Sequence, residues 1–361
     1  MMSWSPTTRR NGVDGLASLL HREDWRFAEG EHLRSILRPF LDDSDKVCRL
    51  GAAGAAHLLD PDPGKALDLI RSRLGEEEVL EIGGTLAVRL GAFVNDHTDL
   101  VDQVVYDAAF GPWLRSIDED DEQTDVMFVD GFVQIVLLVA LRDRRPNALS
   151  LAQSWFEDPG DSSTCDRALI LVRDFLTWDD IRVRERAFGL LLLAAEAAEN
   201  TRSTVDTDSD EFGKAFLTAN EISTTVYLAS GAFQEEQGKS TLPSPGFCAS
   251  ALPVLRRISG FRAPAIVHHI VETLAHLAPE DPGAVLLCLR GAIDRNDPYS
   301  FDSLAEQATT RLCARYLSEF WEDIVNDEEC LTALREVLGA FVHAGWPSAI
   351  ELSNRLGDAF R

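Results

Sequence analysis

The sequence predicts an all-α protein, and three observations support this. Alanine and leucine dominate the apolar residues, whereas runs rich in the strand-favouring valine, isoleucine, threonine and tyrosine are few. Apolar residues recur at helical spacing, first at Leu33, Ile36 and Leu37. Short connections rich in aspartate, proline and glycine, such as that at 60–63, separate the helical segments. Helices joined in this way are typical of stacked antiparallel helix pairs.

The helices can be placed in order from their caps and apolar stripes. Pro39 bends or ends the first helix, and Ser44 with Asp45 caps a second that stops before Pro61. Pro63 opens a third, which runs to about Leu74. Further helices are predicted at about 78–94, 99–116, 124–142, 147–156, 164–176, 180–198, 211–232, 247–259, 264–277, 283–293, 301–324, 328–343 and 347–360.

The length of 361 residues exceeds what one hydrophobic core usually serves. The chain therefore contains either several domains or one elongated array. We predict a disordered N-terminus at 1–11 and helical-repeat regions at 12–199 and 211–361. The segment 200–210 is rich in threonine, serine and aspartate, and we interpret it as an exposed loop between the two regions.

One local pattern occurs twice: an apolar residue ends a helix, an acidic turn follows, and valine and arginine open an alanine-rich helix. Its positions are Asp43, Asp45, Val47 and Arg49 in the first copy, and Asp180, Val183, Arg184 and Ala187 in the second. The aspartates are expected to cap the following helix, the valine to face the core between helices, and the arginine to lay its stem across the neighbouring turn.

Both copies resemble the HEAT repeat of armadillo-like proteins. The resemblance implies a right-handed α-solenoid of stacked antiparallel helix pairs, with an extended surface that binds another protein. The first copy departs from the pattern, because Cys48 separates Val47 from Arg49. The two copies cover only a small part of the chain, and elsewhere the repeat is degenerate.

A second, weaker resemblance covers residues 260–361. The segments 261–264, 281–285 and 344–347 look like parts of a helical C-terminal region found in large bacterial ATP-binding proteins. This resemblance implies an alternative function, the regulatory or sensor arm of a larger nucleotide-dependent machine, such as one used in prokaryotic defence.

The chain itself shows no nucleotide-binding loop. The segment Gly238-Lys239-Ser240-Thr241 has the ending of a P-loop, but Phe233 stands where the first glycine is required. Pro243 then prevents the helix that should present its N–H groups to phosphate. No dinucleotide fingerprint or nucleophile elbow occurs either. We therefore predict no cofactor and no enzymatic activity.

The net charge of −26 argues against a nucleic-acid partner, because such a field repels phosphates. The compact basic run at Arg142, Arg144 and Arg145 ends an apolar helix, where cations favour the helix dipole. The most apolar stretch, 128–141, is too short to cross a bilayer, so no membrane partner is expected. The six cysteines form no CxxC motif and the N-terminus resembles no signal peptide. We predict a cytoplasmic protein with reduced, buried thiols.

Two sets of residues could hold a cation. His268, Glu272 and His276 recur every four residues and would share one helix face, so they are the alternative candidates for a metal site. A further ligand would have to come from elsewhere, and we favour a structural role for all three. The acidic run at 118–125 is interpreted as a solvated turn between helices.

The function predicted from the sequence is therefore that of a non-enzymatic scaffold or adaptor that binds another protein. No residue is assigned a catalytic, cofactor-binding or metal-binding role. A regulatory arm and a metal-binding protein remain the alternatives.

Overall fold

The computed structural model describes residues 6–116, 122–158, 163–239, 243–293 and 303–358. Every regular element in these ranges is a helix. The predicted all-α class is confirmed. The chain divides into two compact units, unit 1 up to Ser154 and unit 2 from Trp155 onwards.

Among its described residues, unit 1 contains seven helices and most of an eighth, which the division crosses after Ser154. Their bounds are α1 (Pro6–His21), α2 (Glu23–Leu37), α3 (Lys46–Ala53), α4 (Pro63–Glu76), α5 (Leu80–Val88), α6 (Thr98–Ala108), α7 (Glu122–Leu141) and α8 (Pro146–Glu157). Short 3₁₀ turns follow α2, α3, α5 and α6. Because α1 begins at Pro6, the prediction of a disordered N-terminus is wrong for residues 6–11. Arg9 and Arg10 in this segment form ion pairs with Asp43 and Asp45, which fix it in place.

The helices of unit 1 pack in an alternating order. α1 contacts α3, α3 contacts α5, and α5 contacts α7, while α4 contacts α6. The core is closely packed, because Trp113 is fully buried and the Cβ of any residue replacing Gly83 on α5 would lie 2.4 Å from its Cγ. Only glycine lets the indole approach the helix this closely.

Unit 2 contains the remaining helices. Their bounds are α9 (Ser163–Leu171), α10 (Arg173–Leu176), α11 (Ile181–Thr204), α12 (Asp210–Ser230), α13 (Ala232–Glu236), α14 (Phe247–Ile258), α15 (Pro264–Leu277), α16 (Pro282–Ala292), α17 (Ser303–Ser318), α18 (Trp321–Ile324), α19 (Glu328–His343) and α20 (Pro347–Asp358). The helices predicted at 164–176 and 301–324 are each divided in two.

Contacts in unit 2 also run in two series. One series joins α11, α14, α16 and α19, and the other joins α12, α15, α17 and α20. Cross-contacts such as α11 with α12, α15 with α16 and α19 with α20 connect them. Each helix of these two series thus packs against the helix two or three elements away in the same series, and the cross-contacts join the two series.

Aspartates in the acidic connections cap the helices that follow them, as the composition of these connections indicates. Asp62 accepts a hydrogen bond from the backbone N–H of Lys65 (3.2 Å) at the start of α4. Asp281 accepts one from Ala284 (3.0 Å) at the start of α16. A side-chain acceptor at these positions satisfies an N–H group that lacks a partner within the helix.

The segment 200–210 does not divide the chain as the sequence suggested. α11 continues to Thr204, so only the short stretch 205–209 lies outside helices, and α11 and α12 pack against each other on either side of it. Ser209 caps α12 through a hydrogen bond from Phe212 N–H (3.1 Å). Polar composition indicated a loop here, but a helix surface in water has the same composition.

No helix in the described ranges combines the length and the apolar character needed to cross a bilayer.

Candidate functional site

The candidate site is a partly open cleft in unit 2, formed by α13, α15 and α17. α15 contacts both of the other helices. The cleft has a volume of about 170 Å³ and is lined by Ala232, Glu235, Glu272, Ala275, His276, Arg311, Leu312 and Arg315. Five of these eight side chains carry an ionisable group, so the cleft is a polar site with an apolar patch.

The α17 side of the cleft carries two arginines one helical turn apart. Arg311 donates from Nη2 to Oε1 of Glu272 on α15 (2.9 Å). Arg315 donates from Nη1 to the carbonyl of Ala275 (2.8 Å) and from Nε to Glu319 (3.0 Å). Its guanidinium also lies 5.2 Å from the centre of the Phe320 ring. These contacts fix the plane of Arg315, whereas the side chain of Arg311 remains 60% exposed.

The α13 side carries the opposite charge. Glu235 contacts Nδ1 of His276 through Oε2, and this pair ties the five-residue helix α13 to α15. Gly231, with φ of 95°, starts α13 in a conformation that favours glycine. The side chain of His276 is 2% exposed, and its Nε2 has no hydrogen-bond partner. His276 therefore positions the more exposed carboxylate of Glu235 at the edge of the cleft.

The structure brings together two of the three metal candidates. Glu272 and His276 both line the cleft, but His268 does not. Residues eight apart on a helix differ by about 80° in direction, so the face drifts over two turns. In the described part of the chain, no group of three or more histidine, cysteine or acidic side chains could hold a metal ion. Glu272 is paired with Arg311 instead.

Sequence reasoning missed the partners of these residues. Glu235, Arg311 and Arg315 lie 37 to 43 residues from Glu272 along the chain, and no local pattern connects them to α15. A sequence signal exists only for the spacing of Arg311 and Arg315, which places both on one helix face.

Acidic turn 1 (Asp43–Arg49) lies in unit 1. Asp43 is buried and accepts a hydrogen bond from Asp45 N–H (2.8 Å) in addition to its ion pair with Arg9. Asp45 caps α3 by accepting from Val47 N–H (2.9 Å), and Arg10 donates to it (2.9 Å). The turn is therefore held by its own aspartates and by two arginines of α1.

The arginine of acidic turn 1 closes the turn from the other side. Arg49 donates to the carbonyl of Asp43 (2.8 Å) and pairs with Glu77 (3.4 Å). The inward-facing residue differs from the expected one, because Cys48 is fully buried while Val47 is half-buried. The inserted cysteine shifts the buried position by one residue.

Acidic turn 2 (Asp180–Ala187) lies in unit 2. Asp180 is exposed and caps α11 by accepting from Arg182 N–H (2.8 Å). Val183 and Ala187 are buried, as the pattern predicts. Arg184 donates to the carbonyl of Pro245 (2.9 Å), which lies just before α14. This copy places its capping and inward-facing residues where the pattern expects them.

Two aromatic rings lie together on the surface of unit 1. Tyr106 and Phe110, at the end of α6, are 43% and 61% exposed. Their ring centres are 5.3 Å apart in an edge-to-face arrangement. This geometry is a favourable aromatic contact, but it leaves most of the Phe110 surface in water. A pair of exposed rings presents a larger apolar surface than scattered single residues do.

The remaining sequence motifs are the basic run at 142–145, the acidic run and the loop that ends like a P-loop. Arg142 donates to Asp143 (2.8 Å) and to Asn95 (2.9 Å), and Arg145 pairs with Asp99. Two cations of the basic run are therefore engaged by acidic neighbours. Residues 118–121 of the acidic run and the Ser240-Thr241 step of the loop lie outside the described residues. The rest of the run, 122–125, begins α7, so this part is helical and not a turn between helices.

All six cysteines are buried free thiols. Burial raises the pKa of Cys313 and of Cys288 to about 12, and that of Cys330 to about 11. At neutral pH these sulfurs are protonated, so they are poor nucleophiles and poor metal ligands.

No family model matches the chain, and no curated protein does. Among solved structures, the crystal structure of an engineered protein matches 94% of this chain and 97% of its own length. The sequence identity is 13% and the TM-score is 0.25.

Proposed function

We propose that this protein is a non-enzymatic scaffold or adaptor that binds another protein through the surface of its helices. The observation that supports this most directly is the Tyr106–Phe110 pair, two large rings that contact each other and remain exposed. Tyrosine and phenylalanine are enriched at protein interfaces because they bury a large area at a small entropic cost. Truncating such anchors commonly weakens binding by about 2 kcal/mol or more.

The proposed architecture is a right-handed, HEAT-like α-solenoid of stacked antiparallel pairs. The two series of helix contacts in unit 2 support it, because in a stacked array each helix packs against its own pair and against the equivalent helix of the next. The alternating contacts of α1, α3, α5 and α7 support the same arrangement in unit 1.

The proposed compartment is the cytoplasm. The six buried free thiols support it, because unpaired cysteines are typical of proteins in a reducing environment.

Co-purification from native lysate tests the binding function. Wild-type protein and a Tyr106→Ser/Phe110→Ser variant would be compared with Leu217→Ser, which replaces an exposed leucine of α12. We expect one protein to be recovered with wild type and with Leu217→Ser, and its affinity for the double variant to fall by at least about tenfold.

Equal recovery with all three proteins would contradict the assignment of the aromatic pair. Recovery of chaperones alone, from a chain that stays monomeric in the lysate, would contradict the scaffold function itself. Because 43% of Tyr106 and 61% of Phe110 are exposed, the double variant should keep an unfolding midpoint close to that of wild type, and this is checked by circular dichroism.

The regulatory-arm alternative remains a prediction from the sequence. An adjacent or fused reading frame for an ATPase would support it, and a gene standing alone would weaken it.

A further inference from the structure

The cleft of unit 2 separates its charges across three helices. The cations Arg311 and Arg315 come from α17, and the exposed anion Glu235 comes from α13. Between them, α15 supplies the partly shielded Glu272, which pairs with Arg311, Ala275 as an apolar contact and His276 as a polar one. A ligand lying across α15 would therefore meet a cationic group at one end and an anionic group at the other.

The arginines have hydrogen-bonding capacity beyond their internal contacts. The bond to Glu272 uses one of the five N–H donors of Arg311, whose side chain is mostly exposed. Glu272 is only 11% exposed, and Arg311 keeps this carboxylate paired. Arg315 is held flat by its contacts with Ala275, Glu319 and Phe320, and these engage Nη1 and Nε and leave Nη2 for a ligand. An oriented guanidinium of this kind donates a charge-assisted hydrogen bond to a carboxylate.

Glu235 is prepared for a cation in a similar way. Its contact with the buried His276 uses Oε2, and the side chain is otherwise 56% exposed. A buried nitrogen without a partner, such as Nε2 of His276, costs free energy unless something hydrogen-bonds to it. The base of the cleft therefore adds a second polar feature beside the Glu235 carboxylate.

The volume of the cleft and the net charge of the chain restrict the class of ligand further. A volume of about 170 Å³ accommodates several water molecules or a small molecule, whereas a helix needs a groove about 10 Å across. The chain carries a net charge of −26, so its field repels a simple anion at a distance. A molecule with one charge of each sign escapes this repulsion and still pairs with both sides of the cleft.

From these observations we infer that the α13–α15–α17 cleft is a binding site for a small zwitterion. Its carboxylate pairs with Arg311 and Arg315, and its protonated amine pairs with Glu235. Its short apolar body lies over the half-buried Ala275. This site is independent of the Tyr106–Phe110 pair and does not depend on the proposed scaffold function.

Three probes that share a five-carbon chain test the inference by isothermal titration calorimetry and by NMR shifts of the cleft residues. They are 5-aminopentanoate with both charges, pentanoate with the carboxylate alone, and pentylamine with the amine alone. Wild-type protein should bind 5-aminopentanoate about tenfold more tightly than either of the others, because each charged end adds an ion pair.

Variants of the cleft residues then show which side chain binds the carboxylate of the ligand and which binds its amine. Arg311→Gln should weaken binding of 5-aminopentanoate and pentanoate about tenfold and leave pentylamine unchanged. Glu235→Gln should weaken 5-aminopentanoate and pentylamine and leave pentanoate unchanged. The matched control is Arg257→Gln, which removes another exposed arginine of unit 2 that pairs with Glu196 and Glu199, and it should change nothing.

Folding is controlled with a second substitution. Arg311→Gln removes the arginine that pairs with the shielded Glu272, whereas Arg311→Lys keeps a charge beside it and loses only the forked geometry. Arg311→Lys should give an intermediate affinity for 5-aminopentanoate. Equal affinity of wild type for all three probes, no binding of any probe at millimolar concentrations, or an equal loss in Arg257→Gln would each overturn the inference.

Discussion

Acidic turns 1 and 2 share a sequence pattern but are held in different ways. In acidic turn 1, Asp43 is buried and paired with Arg9, and Arg49 joins the turn to Glu77. In acidic turn 2, Asp180 is exposed, and Arg184 makes a single bond to the carbonyl of Pro245. The first turn is thus a closed polar network, and the second is a helix cap with one tether.

The difference shows that a local pattern determines which residue caps the helix. It does not determine how much the turn contributes to the free energy of unfolding. Both aspartates at the helix starts, Asp45 and Asp180, accept the expected backbone N–H bond. What distinguishes the turns comes from α1 and from the end of α4, more than 25 residues away along the chain. Polar networks of several members are worth more than isolated bonds when every member is satisfied.

The largest expected effect is the difference in stability loss between replacing Asp43 and replacing Asp180. Asp43→Ala removes the acceptor of Asp45 N–H and leaves Arg9 without its partner, so the free energy of unfolding should fall by about 2 kcal/mol. Asp180→Ala removes one exposed cap, which costs about 1 kcal/mol. Urea denaturation measures both losses.

Hydrogen exchange shows where each loss occurs. Asp43→Ala should accelerate exchange of the amides in α3 and Asp180→Ala of those in α11, because local opening reports the stability of each element. Equal losses in the two variants would mean that the network around Asp43 adds nothing beyond the cap.

Most of the fold could be predicted from the sequence, because the features that define the helices are local in the chain. Caps, apolar stripes and proline positions placed the helices of unit 2 within a few residues, as at α15, predicted at 264–277 and found at Pro264–Leu277. The predicted helix ends were wrong where a polar composition suggested that a segment was not helical. The segments 6–11 and 200–204 are polar yet helical, because a helix on the surface needs no apolar residue on its outer face.

The cleft was accessible only in part. The spacing of Glu272 and His276 indicated a shared face, and both line the cleft. The interpretation as a possible metal site treated α15 in isolation, whereas Arg311 and Glu235 approach it from other helices. Which charges meet across helices depends on packing, and a single sequence carries no signal for that.

A second, smaller effect compares the two arginines. Arg49→Gln loses the bond to the Asp43 carbonyl and the pair with the shielded Glu77, so stability should fall by about 1.5 kcal/mol. Arg184→Gln loses one exposed bond, at a cost of about 0.5 kcal/mol. The double variant Arg49→Gln/Glu77→Gln separates the ion pair from the backbone bond. A strictly additive double variant would show that Arg49 acts through the Asp43 carbonyl alone.

The smallest effect concerns the titration of the cap in acidic turn 1. The hydrogen bond from Arg10, with a further one from Val47 N–H, holds the pKa of Asp45 below its ordinary value of 3.8. Because this pKa is lowered in the folded state, the stabilisation that it reflects is present above about pH 4 and is lost as pH falls through the folded pKa. Arg10→Gln should raise the pKa of Asp45 towards 3.8, as measured by NMR of its carboxyl carbon.

Asp327 is the internal reference for that titration. The backbone N–H groups of Cys330 and Glu329 lower its pKa. Arg10 is not among the groups that shift this pKa, so the pKa of Asp327 should stay constant in Arg10→Gln. Raising the salt concentration should also move Asp45 more than Asp327, because an exposed ion pair is screened while a cap bond is short-ranged. If the pKa of Asp45 is unchanged in Arg10→Gln, the backbone cap alone sets it, and acidic turn 1 titrates like the N-cap of α19 despite its arginines.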